Sequence, residues 1–295
     1  MFTRMIKNLR GIGSAPAAVL SPALPETIRL EEGGAVRIVQ FADGQSYAEV
    51  VNSAQGYFII NRHDLGVGWQ LRKFNQYDAG QMHNLRMMAQ AAPPGAVFLD
   101  IGANIGVATV LLARIAGANG RVHAFEAQRP IFHMLAGTVA LNGLDNAHCH
   151  YQAVGAGRGI ARVPCLDYRE QASFGSIELN REQQSDAQQQ AKDGQFEEVP
   201  MESIDAMGLA RVDLIKIDVE GMEADVLAGA AATIRAHRPL IYLEYMKGDK
   251  TALWQVLHDA GYELYDVNDN FVCVPAEHPG RAALVGSSLP WSPAN

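Results

Sequence analysis

The residues best placed for chemistry are an aspartate, two glycines and a glutamate in the middle of the chain. Asp100 ends the apolar run Val97-Phe98-Leu99, and Gly102 and Gly106 follow in the pattern D-x-G-x-x-x-G. Such a run reads as a buried strand entering a tight turn and then a helix. The aspartate then sits at the carboxyl end of the strand, where open α/β sheets bind ligands. Glycines there allow close backbone approach where a side chain would obstruct a ligand. Glu126 ends the next strand-like run, 121–126, and an acid at that tip is placed to accept both hydroxyls of a ribose. The two features together point to a nucleoside-containing cofactor. The nicotinamide fingerprint G-x-G-x-x-G uses its middle glycine to admit a pyrophosphate, and Asn104 occupies that place here. The observed spacing suits a smaller contact, the amino-acid end of S-adenosylmethionine. Asn104 could also cap the following helix.

Alternating elements must position these residues. Strands are predicted over 96–101, 121–126, 148–154, 160–165, 212–218 and 239–245, and helices over 105–116, 130–141, 222–235 and 250–260. Pro130 suits a first helical turn. Asn268-Asp269-Asn270 between two short apolar runs gives a hairpin signal. This alternation predicts an α/β fold: a mostly parallel, Rossmann-like sheet with helices on both faces. The closing hairpin inserts an antiparallel strand. That fits the seven-stranded class I methyltransferase sheet better than a six-stranded dinucleotide sheet.

Four segments are expected. Residues 1–25 hold Phe2, Met5, Ile6, Leu9 and Ile12 at helical spacing with Arg4, Lys7 and Arg10 between them, then an Ala/Pro linker. This reads as a basic amphipathic helix at a membrane surface, or as a terminus packed on the protein or a partner. It lacks the continuous apolar stretch of a signal peptide. Residues 26–92 read as a small β-rich subdomain with a helix over about 78–90. Its two or three strands cannot form a domain alone, so they should pack on the larger one. The main domain spans 93–275 and carries a polar, glutamine-rich surface insertion at about 180–194; a tail covers 276–295.

Composition sets bounds on function. With 295 residues, 48% of them hydrophobic, the chain can bury a sizeable core. A formal charge of −8 argues against general nucleic-acid binding, which needs a basic face. Cys149, Cys165 and Cys273 are far apart and odd in number, which reads as buried reduced thiols in a cytoplasmic protein. No apolar run reaches the roughly eighteen residues of a membrane span.

Several motifs then resemble one family. Phe98-Leu99-Asp100-Ile101-Gly102-Ala103-Asn104-Ile105-Gly106, Phe125-Glu126, Lys216-Ile217-Asp218-Val219-Glu220-Gly221 and Pro239-Leu240-Ile241-Tyr242-Leu243-Glu244 are similar to the FkbM family of S-adenosylmethionine-dependent methyltransferases. Ser173-Phe174-Gly175-Ser176 also resembles a family segment. The resemblance covers roughly residues 93–246 and implies O-methylation of a sugar or other secondary metabolite. Asp100, Gly102, Ala103, Asn104 and Gly106 would hold the methionine end and Glu126 the ribose. Gln152 and Ala153 would lie near the adenine, and Tyr77 would cover the cofactor.

Methyl transfer to a hydroxyl needs an in-line approach, exclusion of water and a destination for the proton. Asp218 is the first candidate for the base, with Glu220 and Glu244 beside it. Glu220 could instead favour the dipole of the next helix. Three neighbouring carboxylates could also hold Mg²⁺, although no metal is expected. His148 and His150 share one strand face without a matching ligand cluster, which favours an ordinary strand. Asn61-Arg62-His63-Asp64 is either a polar turn or part of the acceptor pocket. The competing readings are a nicotinamide-dependent oxidoreductase and a non-catalytic binding module of the same fold.

Overall fold

The structure, a computed structural model, describes residues 28–33, 36–41, 46–179 and 194–293. The amphipathic segment 1–25 and nearly all of the glutamine-rich insertion lie outside the described residues.

The chain opens with four antiparallel strands in sequential order: β1 (Ile28–Gly33), β2 (Val36–Phe41), β3 (Ala48–Ser53) and β4 (Gly56–Asn61). Two helices follow, α1 (Val67–Phe74) and α2 (Ala79–Gln90). No helix was expected at α1, whose eight residues carry Val67, Leu71 and Phe74 on one face and Gly68 inside it. The main sheet then begins with β5 (Val97–Ile101), α3 (Val107–Ala116), β6 (Arg121–Glu126), α4 (Arg129–Leu141) and β7 (Ala147–Tyr151). A three-stranded sheet interrupts it, formed by β8 (Ala153–Val154), β9 (Gly159–Pro164) and β10 (Phe196–Glu202) in the order β8-β10-β9. The main sheet resumes with β11 (Leu214–Ile217), α5 (Glu223–Ala228), α6 (Ala231–His237), β12 (Leu240–Glu244) and α7 (Lys250–Asp259). It closes with the hairpin β13 (Tyr262–Val267) and β14 (Asn270–Pro275), before α8 (Arg281–Val285).

The main sheet has seven strands in the order β13-β14-β12-β11-β5-β6-β7. From β12 to β7 neighbouring strands are parallel, and β14 runs antiparallel to both of its neighbours. This is the class I methyltransferase arrangement. Residues of β11, β12 and β14 are buried throughout, as expected where helices cover both sheet faces. Strand order reverses between β5 and β11, so the crevice above their carboxyl ends is the natural ligand site.

Two expected elements are divided. The strand expected over 148–154 is interrupted at Gln152, and β8 leaves to join the small sheet. The helix expected over 222–235 breaks at Gly229. A Cβ on Gly229 would lie 2.1 Å from the Gly155 carbonyl oxygen, so a crossing backbone fixes this break.

The N-terminal sheet docks through its edge. Thr138 on α4 and Asn142, the residue that caps it, lie one turn apart and face alternate residues of β4. Ile59 N–H donates to Thr138 Oγ1 at 3.1 Å. Tyr57 N–H donates to Asn142 Oδ1 at 3.2 Å, and Asn142 Nδ2 returns a bond to the Tyr57 carbonyl at 2.6 Å. Side chains thus satisfy the backbone groups that an edge strand would leave open. Val51, Phe58, Ile60 and Leu71 continue into the same core as Phe98 and Val110, so the small sheet shares the core of the large one.

Cys273 is buried, whereas Cys149 and Cys165 are only half-buried, and Cys165 follows β9 rather than lying in it. Among the described residues, no helix is long and apolar enough to cross a membrane.

Candidate active site

A cleft of about 470 Å³ opens above the carboxyl ends of β5, β6, β11 and β12. The segment 173–179, the starts of α1 and α2, and the β13–β14 turn complete its walls. Its volume lies within the usual range for small-molecule pockets.

On the β5–β6 side the strand ends carry Gly102 and Glu126. Gly102 has φ +75°, and a Cβ there would stand 1.8 Å from the Asp218 carbonyl oxygen. Its small size therefore admits the protein's own backbone at a position that also lines the cleft. Gly106 likewise makes room for α4: at φ +94° its Cβ would meet Leu135 Cδ1 at 2.8 Å. Neither Gly106 nor Ala103 lines the cleft. Asn104 lines it but does not cap α3, whose N-cap is Gly106. Its backbone N–H donates to Glu126 Oε2 at 2.9 Å, and Gln128 N–H donates to Glu126 Oε1 at 2.7 Å. Burial raises the Glu126 carboxyl to about 7 against these two donors.

Asp100 is fully buried beneath this loop and does not reach the cleft. Thr109 Oγ1 donates to its Oδ2 at 2.6 Å, and Lys216 Nζ lies 3.3 Å from its Oδ1. The buried Lys216 ammonium also donates to the Gly102 carbonyl at 2.9 Å and lies 3.3 Å from Asp218 Oδ2. Burial works against its charge, but Asp218 and Asp100 outweigh burial and hold the lysine protonated. One cation therefore ties together the glycine loop and two strand-end acids. The sequence placed Asp100 against the ligand; its position below the loop makes it a partner of Lys216.

Gln152, Ala153 and Tyr77 line the cleft. The Tyr77 backbone is fixed at both ends by the Gln55 amide, through bonds of 2.7 and 2.8 Å. On the β11–β12 side stand Asp218, Glu220 and Glu244. Glu220 has φ +54° and turns its Oε2 to Lys247 Nζ at 2.7 Å. It does not cap α5; the neighbouring Glu223 accepts from Gly221 N–H at 3.0 Å instead. Burial and then the Asp218 charge push Glu220 up to about 7. Burial, with Asp218, Glu220 and Glu223 nearby, pushes Glu244 up to about 8.

Other cleft residues escaped the sequence reading. Gln128 Nε2 donates to the Phe174 carbonyl at 2.8 Å, and Tyr168 O–H donates to Gln128 Oε1 at 3.1 Å. These bonds hold the strap 165–179 over the Glu126 loop. Lys247 Nζ reaches the same strap at the Ser176 carbonyl, 2.6 Å away. Asn268, Asp269 and Asn270 were visible only as turn formers, yet they line the cleft. Asn61-Arg62-His63-Asp64 lies outside it and forms a polar turn: Asp64 Oδ2 accepts from Gly68 N–H at 2.6 Å. His148 and His150 stack beside His123 on one sheet face. Among the described residues, no three His, Cys, Asp or Glu side chains converge as metal ligands.

The family description "Methyltransferase FkbM domain" matches residues 100–264. The chain belongs to the FkbM methyltransferase family. The match runs from the aspartate of the glycine loop to the closing hairpin of the FkbM domain. AMB antimetabolite synthetase AmbE of Pseudomonas aeruginosa is 27% identical over 240 residues, covering 68% of this chain. The chain spans only 11% of that relative. Among solved structures, Methyltransferase FkbM from Methylobacillus flagellatus KT is 18% identical with a TM-score of 0.42, covering 62% of this chain and 44% of that one. The O-methyltransferase TomG from Streptomyces achromogenes is 14% identical with a TM-score of 0.36, covering 65% of this chain and 67% of that one.

Proposed function

We propose that this FkbM-family methyltransferase uses S-adenosylmethionine to methylate a hydroxyl of a sugar or secondary metabolite. The observation that supports this most is Glu126: a buried carboxylate at the end of β6, held by two backbone N–H groups and lining the same cleft as three further strand-end acids. Its remaining lone pairs suit the two hydroxyls of a ribose. Gly102 and Asn104 would face the methionine end, Gln152 and Ala153 the adenine side, and Tyr77 would cover the site. When bound, S-adenosylmethionine supplies a methyl group on a cationic sulfur.

The chain's own residues supply the rest. The strap 165–179 restricts water at the reacting centre. Asp218, anchored by Lys216, accepts the hydroxyl proton. Glu220 and Glu244 are the next candidates, since a general base works best with a pKa near the operating pH.

Titration calorimetry with S-adenosylhomocysteine and NAD tests the assignment. Micromolar binding of the first, about −7 to −8 kcal/mol, and none of the second is expected. Glu126→Ala should weaken the first by about 1.5–3 kcal/mol through lost charge-assisted bonds. Unchanged affinity in a folded variant would remove Glu126 from the site, and tight NAD binding would overturn the reading.

A further inference from the structure

The cleft is lined by acids, of which Asp218 and Glu220 are paired with Lys216 and Lys247. Among its described lining residues are Asp78, Glu126, Asp218, Glu220, Glu244 and Asp269, and no Lys, Arg or His. An acceptor bearing a phosphate or carboxylate would meet these acids without a cationic side chain to bind it. Two lining side chains each carry an oxygen without a donor. Glu244 and Asn270 are only 9% and 8% exposed, and Glu244 Oε2 and Asn270 Oδ1 have no hydrogen-bond donor. They sit opposite each other in the β12–β14 register. Asn270 Nδ2 donates to the Asn268 carbonyl at 2.8 Å, so the enclosed amide oxygen is the end without a donor. Buried acceptors ordinarily have donors, so this pair is built for a ligand that brings more than one.

We propose that Glu244 and Asn270 form a recognition subsite for a protonated primary amine on the methyl acceptor, which is therefore an amino-bearing polyol. This rests on the methyltransferase reading above and names the acceptor class. A hydroxyl donates one hydrogen and can serve only one of the two oxygens. An ammonium has three donors, enough for both. The charges around Glu244 agree. Burial and then the Asp218, Glu220 and Glu223 charges oppose its ionisation, and Lys216 favours it. A bound cation would draw the carboxyl to its charged form. The pair lies over β12 and β14, on the opposite side of β11 from Gly102 and Glu126. It thus stands apart from the cofactor end of the cleft.

The test uses the full chain saturated with S-adenosylhomocysteine and titrated with D-glucosamine, D-glucose and N-acetyl-D-glucosamine. Glucosamine should bind at least about tenfold more tightly than either neutral sugar, or about 1.4 kcal/mol. Glu244→Gln, close to isosteric, should abolish that preference while changing S-adenosylhomocysteine affinity less than about twofold. Asn270→Ala should reduce the preference in an independent fold test. Equal binding of the three sugars, binding of none, or a preference that survives Glu244→Gln would overturn the proposal. A tenfold loss of S-adenosylhomocysteine affinity in Glu244→Gln would assign the pair to the cofactor and overturn it as well. Failure of the wild type to bind S-adenosylhomocysteine would instead count against the methyltransferase reading.

Discussion

At the residue scale, Lys216 gives the site its internal order. A fully buried ammonium needs compensation, and here two carboxylates and the Gly102 carbonyl supply it. The arrangement predicts distinct roles for neighbouring acids. Asp100 keeps the lysine charged from below, and Asp218 presents a carboxylate to the cleft from above. Asp218→Asn keeps the shape but removes the base. Turnover to a given acceptor should fall roughly 10²-fold, while S-adenosylmethionine affinity changes by less than about 1 kcal/mol. Single-turnover transfer at saturating cofactor, with and without EDTA, checks this. Equal rates for both proteins would move the base to Glu220 or Glu244. Rates abolished by EDTA and restored by Mg²⁺ would replace the base with a metal. Glu126 and the acids after β11 and β12 were legible because each ends a readable apolar run. Ser173–Ser176 is legible only as a family-like segment and 268–270 only as a turn, because only tertiary folding brings those loops to the cleft.

At the scale of elements, periodicity revealed those that make their own case. β5, β6 and β12 are apolar runs bounded by charge or glycine, and α3 and α4 carry clear apolar faces. β10 was hidden because its sequence, FEEVPME, is charged and contains Pro200. Proline is tolerated there because β8 pairs with β10 only at Met201 and Glu202. The break between α5 and α6 was hidden for another reason: its cause, the Gly155 backbone, is distant in sequence. The joint between β4 and α4 is also tertiary and rests on few groups. Thr138→Val keeps the bulk but leaves Ile59 N–H without its acceptor. It should destabilise the chain by about 1–3 kcal/mol, read by urea unfolding. A change below about 0.5 kcal/mol would show that the sheet docks by apolar packing alone.

For the whole molecule, several buried acids link stability to pH. Glu126 and Glu220 are raised to about 7 and Glu244 to about 8 from a usual 4.5. A carboxyl raised by folding stabilises the fold fully below its unfolded value, and that contribution is lost as pH rises through its folded value. The ligand-free chain should therefore lose stability between about pH 6.5 and 8, above the pH values over which His123, His150 and His278, lowered by burial, add stability as pH rises, by up to about 1.4 kcal/mol per pH unit for each titrating group. Thermal unfolding across that range checks the slope, and Glu126→Gln should flatten it. A Tm that rises over the same interval would contradict the burial of these acids in the folded state. Above about pH 8, where these acids carry charge, they have a kinetic consequence for a cleft that takes S-adenosylmethionine. The sulfonium loses its positive charge when the methyl leaves, so the spent cofactor is held less strongly by the surrounding field. The lining thus favours turnover, drawing the charged reagent in and releasing its neutral remnant. Lowering the ionic strength should speed arrival of the sulfonium and raise its affinity relative to the thioether by-product. Inhibition by that by-product should accordingly be weakest in dilute salt.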